Sequence, residues 1–128
     1  MCMTDDFDGR STQLRSEDVA ARKPHHCCEC SRLIAVGETH HIYVYLFEGD
    51  FFSDRTCSHC YTASQWLVRE CRGFILTRVE EDLREHWQEV GIRTRELAVL
   101  IWGIGRQWRK RDGSLMPLPT ISATPATA

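Results

Sequence analysis

Hydrophobic and polar residues alternate along one stretch of this chain. The stretch is THHIYVYLF, residues 39–47, whose β-branched and aromatic residues suit the pleated surface of a strand. Glu48, Gly49 and Asp50 then supply a turn, and FFSDRT returns as a second strand. The pattern therefore predicts a β-hairpin over residues 38–56.

Three segments after the hairpin show apolar residues at helical spacing. The first predicted helix covers residues 57–72 and is stopped by Gly73. The second begins at a capping box formed by Thr77 and Glu80 and ends before Gly91. The third runs over residues 94–110, and together these segments predict a mostly helical second half.

The third predicted helix is apolar on nearly every side. Its stretch LAVLIWGI exceeds what one core contact requires, so we expect it to lie between the rest of the protein and another surface, such as a second copy of the chain. Gly103 and Gly105 lie inside it and permit a kink or a close contact.

Neither end of the chain shows apolar residues at strand or helix spacing. Residues 1–24 are rich in acidic residues and read as a flexible arm, with one short helical turn around residues 16–21. Residues 113–128 contain three prolines among small polar residues and predict an extended or disordered tail.

Composition narrows the class of protein. The 128 residues are 42% hydrophobic and 27% charged, which excludes a fully disordered chain. The net charge of −2 excludes a protein that coats nucleic acid by charge alone. No apolar run is long enough for a membrane span, and the first residues do not resemble a secretory signal. We therefore expect a cytoplasmic location, no disulfides, and a metal site for the clustered cysteines.

Two CxxC pairs form the strongest chemical signal. Cys27 and Cys30 make one pair, Cys57 and Cys60 make the other, and a hairpin-sized insert separates them. Four such thiolates complete the tetrahedral shell that structural Zn²⁺ prefers. The second pair falls in the first turn of a predicted helix, where free N–H groups and the helix dipole favour thiolate. We therefore predict one structural zinc ion.

Other cysteines and histidines lie close to these pairs. Cys71 is eleven residues beyond Cys60, about 16 Å along a helix, which is too far to share an ion, so we expect a core cysteine. Cys28 is expected to point away from the ion. Whether other side chains take part in the site stays open for Cys28, His25, His26 and His59.

A four-cysteine shell leaves no open position for water or substrate, so we predict no catalytic residues. The enzyme alternative is an HNH-type nuclease, because His40 and His41 precede a strand with a CxxC downstream. The chain departs from that family: it lacks the Asp before the histidines, the middle Asn and the second metal-binding His on the helix.

Two surfaces are candidates for binding. Alternation places Tyr43, Tyr45 and Phe47 on one face of the first strand, and one face of a two-stranded hairpin needs a cover. Either the later helices cover it, or these residues and Trp102 form a partner-binding surface.

The second surface is the basic end of the third helix. Residues 93–112 hold six basic and two acidic residues. A cationic helix end with a tryptophan can contact phosphates and stack on a base, or can pair with the acidic second helix. The residues predicted for nucleic-acid contact are Arg106, Trp108, Arg109, Lys110 and Arg111.

The zinc region carries two resemblances. The zinc knuckle is the short turn that holds Cys27 and Cys30. The order of knuckle, hairpin and a helix that bears the second pair resembles a treble-clef zinc finger. The runs KPHHCCECSRLIAVGETH and RTCSHC, with the following helix, resemble small phage and prophage proteins of unassigned function. The matching residues are Cys27, Cys30, Gly37, Glu38, Cys57 and Cys60.

The first resemblance implies a treble-clef fold for residues 25–72, and the second implies a phage-associated protein made inside a bacterium. With the later helical segments, we expect a small α+β fold. The expected parts are an arm (1–24), a treble-clef module (25–73), a two-helix extension (74–112) and a tail (113–128). Such proteins often bind host machinery, which implies docking on a host protein or protein–nucleic-acid complex, including anti-CRISPR-like inhibition. The alternative is a DNA- or RNA-binding transcriptional regulator; neither reading involves a membrane.

Overall fold

The computed structural model describes residues 11–91 and 93–122, which form a small α+β fold. It contains a three-stranded antiparallel sheet, a two-stranded ribbon and three α-helices. The strands are β1 Ser11–Ala20, β2 His25–His26, β3 Leu33–Ile34, β4 Thr39–Phe47 and β5 Asp50–Cys57. The helices are α1 Ser58–Cys71, α2 Val79–Glu85, which continues as a π-helical turn over His86–Val90, and α3 Arg95–Gly105. Within these residues, every helix is too short or too polar to cross a bilayer.

The predicted hairpin is confirmed as β4 and β5. Phe47 pairs with Asp50, so the connection has only two residues, Glu48 and Gly49. Both have positive φ angles, 50° and 86°, which is the geometry of the tight turn that follows the twist of a hairpin.

The predicted flexible arm is wrong for residues 11–20, which form β1. This strand pairs with β4 from Ser11 opposite Phe47 to Ala20 opposite Thr39, and gives the sheet order β1-β4-β5. The helical turn predicted around residues 16–21 is wrong for the same reason. Most of β1 is exposed, so its polar sequence carried no core signal; the unpaired backbone edge of β4 supplies its hydrogen bonds. Residues 1–10 of the predicted arm lie outside the described residues.

Two of the predicted helix ends differ from those observed. The left-handed residue after α1 is Arg72, with φ 65°, one residue before the predicted stop at Gly73. Helix α3 begins after Thr94, whose side chain accepts the Leu97 N–H at 3.1 Å, and ends at Gly105 instead of Lys110. It ends early because Trp108 folds back over Gly103, where any β-carbon would meet the indole ring. The close contact expected at a helix glycine is therefore confirmed at Gly103.

The predicted capping box at the start of the second helix is wrong. Thr77 has a φ of 73° and lies outside the helix, which begins at Val79. The N-terminus is instead capped from the zinc knuckle. The Glu29 carboxylate accepts the Thr77 N–H at 2.6 Å and the Val79 N–H at 3.1 Å. Glu29, which lies 48 positions before Thr77, therefore caps this helix in place of the predicted capping box.

Residues 113–122 of the predicted extended or disordered tail lie outside the helices and strands, and hydrogen bonds hold them against the helices. The Met116 N–H donates to the Trp108 carbonyl at 2.7 Å, and His59 Nε2 donates to the Met116 carbonyl at 2.7 Å. Further along, Arg69 donates to the Ser122 carbonyl at 2.7 Å. Residues 123–128 lie outside the described residues.

The four CxxC cysteines belong to the same buried cluster as the apolar side chains. The helices contribute Trp66 and Leu67 from α1, Leu83 from α2 and Leu97 from α3, each at most 1% exposed. The CxxC cysteines thus join the knuckle, the hairpin and all three helices into one core.

Candidate metal centre

Three local structures bring the four cysteines of the two CxxC pairs together. Cys27 and Cys30 lie in the turn between β2 and β3, Cys57 ends β5, and Cys60 lies in the first turn of α1. Cys57 is also the N-cap of α1, since its sulfur accepts the Cys60 N–H at 3.4 Å. The hairpin between the two pairs returns the chain to the knuckle, so residues thirty positions apart meet.

The four sulfurs have the geometry of a single metal site. All lie within 4.8 Å of one another, and the Cys30 and Cys57 sulfurs are 3.9 Å apart. Zn–S bonds of about 2.3 Å in a tetrahedron place sulfurs roughly 3.8 Å apart. All four residues are buried, with at most 7% of any one exposed. These cysteines form a structural zinc site, as the spacing predicted.

Hydrogen bonds from nitrogen to sulfur support the thiolate form. Cys27 Sγ accepts the backbone N–H groups of Glu29 at 3.4 Å and of Cys57 at 3.3 Å. Cys60 Sγ accepts Nε1–H of Trp108 at 3.2 Å. Donors of this kind stabilise charged sulfur and fix its position.

A buried arginine adds positive charge beside the sulfurs. The Arg32 side chain is 1% exposed and makes a two-pronged contact with Glu38, at 3.2 and 2.7 Å. Its pKa is raised: burial opposes the charge, but the hydrogen bonds to Glu38 and the negative charge of the nearby Cys57 thiolate outweigh burial. Zn²⁺ with four thiolates carries excess negative charge, which this guanidinium partly offsets. Gly37, with φ 86°, makes the turn that presents Glu38.

The additional side chains considered as ligands have other partners. Among the described residues, the group that could hold a metal consists of the four cysteines alone. Burial raises the pKa of the Cys28 thiol to about 12, and its sulfur lies 3.3 Å from Thr56 Oγ1. His26 donates from Nδ1 to the Ser31 carbonyl at 3.1 Å, and the His25 ring lies 5.8 Å from that of His40. His59 donates to the Met116 carbonyl instead.

Cys71, expected to be a free core thiol, is disulfide-bonded. Its sulfur also lies 2.8 Å from His86 Nε2. The expectation that the chain carries no disulfide is therefore wrong at this position, although Cys71 stays outside the metal site as predicted.

The two histidines behind the nuclease alternative point to opposite faces of the sheet. His40 is fully buried, donates from Nδ1 to the Glu38 carbonyl at 3.2 Å and accepts from Arg55 at 2.8 Å. His41 stacks on Tyr61 of α1, with ring centroids 4.2 Å apart. The structure therefore does not bring these histidines together at the sulfurs.

A hydrogen-bonded chain on β1 and β4 had no signal in the sequence. His41 Nε2 lies 2.7 Å from Ser16 Oγ, and His41 Nδ1 lies 2.8 Å from Asp18 Oδ1. The connectivity is that of a Ser-His-Asp triad, but the Asp18 side chain is 67% exposed, whereas the orienting carboxylate of a catalytic triad is buried. We interpret these two hydrogen bonds as structural contacts that hold β1 against β4.

The aromatic residues predicted for partner binding separate into two groups. Tyr43 is only 8% exposed and packs against α1 and Phe74, so its assignment to a surface was wrong. Tyr45 and Phe47 are half-buried, whereas Trp102 on α3 is 59% exposed. The two most exposed aromatic residues of the hairpin are Phe51 and Phe52, at 72% and 44%, and neither was predicted to bind a partner.

The residues predicted for nucleic-acid contact do not form one surface. Trp108 is 1% exposed and bonded to Cys60 Sγ, so its prediction as a stacking surface was wrong. Arg106, Lys110 and Arg111 line a groove beside α3. Arg109 is not one of the residues that line it, and its carbonyl accepts from Arg106 Nε at 3.1 Å.

Comparisons of the chain with protein-family models, with curated proteins and with solved structures gave no match. The assignment of the zinc site therefore rests on its own geometry.

Proposed function

We propose that this chain is a non-catalytic, zinc-stabilised docking protein built on a treble-clef type of module. The observation that carries the proposal is the buried set of four cysteine sulfurs, all within 4.8 Å of one another. A zinc ion held by four thiolates has no open position, so its role is to stabilise the fold. Binding of zinc contributes on the order of 10 kcal/mol in small modules, enough to hold the knuckle and hairpin in place.

The hairpin end far from the metal is the docking surface that we favour. We call residues Tyr45, Leu46, Phe47, Phe51 and Phe52 the hairpin tip. Burial falls along β4 from buried His40 to half-buried Phe47, and the first half of β5 is exposed. Cross-strand pairs place Tyr45 with Phe52 on one face and Leu46 with Phe51 on the other. Apolar side chains therefore project from both faces, as an element inserting into a cleft requires.

The occupant that fits the hairpin tip is an apolar cleft with a basic rim on another protein. The turn at the end of the tip carries Glu48 and Asp50, both exposed. Large aromatic anchors supply most of the binding energy at such interfaces, and rim charges steer association. The resemblance to small phage proteins suggests that the partner is a protein of a bacterial host, with defence complexes among the candidates.

The test compares two double variants, each of which replaces two exposed apolar side chains by serine. Phe51→Ser with Phe52→Ser alters the hairpin tip, and Val36→Ser with Val90→Ser alters residues 63% and 48% exposed elsewhere. Each zinc-loaded protein is used as bait with bacterial lysate, and a partner identified by mass spectrometry is then purified and titrated against all three proteins by calorimetry. We expect the tip variant to bind at least about 30-fold more weakly, because a hot-spot residue contributes 2 kcal/mol or more. A purified partner that binds both variants equally would refute the assignment of the hairpin tip.

A further inference from the structure

A groove runs between α3 and the chain segment that follows it. The cavity has a volume of about 950 Å³, with Val99 and Trp102 on one wall and Pro117 and Leu118 on the other. It exists because the chain turns back after Trp108. The Lys110 N–H donates to the Ser114 carbonyl at 2.8 Å, which closes that turn.

Among the residues that the structure describes, four cations and one acidic side chain line this groove, and the acidic side chain is already paired. The basic residues are Arg95, Arg106, Lys110 and Arg111. The acidic residue is Glu96, which accepts from Arg69 at 2.6 Å and from the Ser122 N–H at 2.7 Å. The charge that remains for a ligand is therefore positive, and a ligand with several negative charges is favoured.

An exposed tryptophan lies among these cations. Trp102 is 59% exposed, and the Arg106 guanidinium lies over its ring at 5.3 Å from the centroid. Nucleic-acid strands combine negative phosphates with flat bases, and proteins bind them by stacking bases on aromatic rings between basic residues. We propose that this groove binds single-stranded nucleic acid, with Trp102 stacked on a base and the four cations contacting phosphates.

The shape of the site favours a single strand over a duplex. Duplex DNA is usually read by a helix or ribbon that projects into a groove of the DNA. Here the aromatic ring and the cations line a concavity, which suits bases that have left the stack. The volume lies near the upper end of small-molecule sites and fits one or two nucleotides within a longer strand.

The zinc site holds the floor of the groove. Trp108 lines it and donates to Cys60 Sγ at 3.2 Å, while Gln107 Nε2 donates to the Cys30 carbonyl at 3.0 Å. Met116, also in the lining, is bonded to His59 in the first turn of α1. The groove is therefore preorganised by the metal site, and strand binding is expected to require zinc.

The test measures fluorescence anisotropy of labelled ten-nucleotide strands with the full chain. One arm uses oligo-dT, one uses oligo-U, a third uses a ten-base-pair duplex, and a fourth uses a labelled acidic peptide. The variants are Trp102→Ala and the pair Arg106→Ala with Arg111→Ala. The matched control is the pair Arg22→Ala with Lys23→Ala, which removes two exposed charges outside the groove. Zinc content and thermal midpoint of each protein establish that it is folded.

We expect binding of at least one single strand, with affinity falling as salt rises. Three to four phosphate contacts give a slope of about −2 to −3 for log K against log salt. Loss of Trp102 should weaken binding about 10- to 100-fold, since stacking contributes about 1–3 kcal/mol per base. The two groove arginines should together lower the salt slope by more than one, and the control pair should leave it within error.

Three results would overturn the proposal: no strand binding at low salt, equal losses in the groove and control variants, or duplex binding as tight as single-strand binding. Tighter binding of an acidic peptide than of either strand would assign the groove to a protein instead. The Phe51→Ser with Phe52→Ser variant keeps the two proposals separate. This variant should bind the strands as tightly as the wild type does. A negative result for the groove would therefore not bear on the proposal for the hairpin tip.

Discussion

Replacing Glu29 by alanine tests whether the zinc knuckle caps α2. The carboxylate accepts two backbone N–H groups, from Thr77 and Val79. Without the carboxylate, both N–H groups lose their acceptor, which costs about 1–3 kcal/mol for each. Burial raises the pKa of Glu29 to about 7 in spite of the two amide donors, so the variant also loses an unfavourable buried charge, which offsets part of that cost. We therefore expect a net loss of about 2 kcal/mol at pH 8, comparable to the removal of a strong helix cap.

The assay is thermal denaturation of zinc-loaded protein, in which this loss lowers the midpoint by about 6–12 °C for a chain of this size. The matched control is Glu80→Ala, which removes the acidic residue of the predicted capping box. Within the described part of the chain, Glu80 pairs with the exposed Arg84 in α2 alone, at 2.9 Å, so its loss should cost less than about 0.5 kcal/mol. Zinc content should stay unchanged in both variants. A larger loss for Glu80→Ala than for Glu29→Ala would refute the capping by the knuckle.

Three further predictions concern the core and the ion pairs. Trp108→Phe removes the hydrogen bond to Cys60 Sγ, so stability should fall by about 2–4 kcal/mol and a chromophoric chelator should extract zinc faster than from the wild type. Gly103→Ala should destabilise by about 1–3 kcal/mol in urea denaturation, because the new methyl group meets the Trp108 ring, whereas Gly105→Ala, which has room for it, should be neutral or stabilising. Burial alone would raise the pKa of Glu96, but hydrogen bonds from Arg69 and the Ser122 N–H lower it below its usual value. The stability from this pair is present above the unfolded pKa and is lost as pH falls through the lower folded pKa, so Glu96→Gln should flatten the loss of stability on acidification from pH 6 to pH 3.

The sequence predicted those features whose signal is local. Alternation of apolar residues and a turn at Gly49 specify the β4–β5 hairpin, and CxxC spacing brings each sulfur pair to one side of a turn. Helical spacing likewise located α1 and α3. In each case the interacting residues are within a few positions of one another, so short-range geometry determines the result.

The features that the sequence did not reveal depend on distant contacts. β1 is polar and exposed, and only the edge of β4 makes it a strand. Helix α2 is capped by Glu29, not by its own capping box. The end of α3 is set by Trp108, whose ring lies over Gly103. The same contact buries the tryptophan that was expected to face a ligand and leaves Trp102 as the exposed one.

The zinc content of the purified, reduced chain tests the central claim most directly. Elemental analysis of the folded protein after gel filtration should give one zinc per chain, because Cys27, Cys30, Cys57 and Cys60 complete one four-sulfur shell. Treatment with a strong chelator should remove that zinc and unfold the hairpin and knuckle together. A chain that stays folded with well under one equivalent of metal would contradict the account.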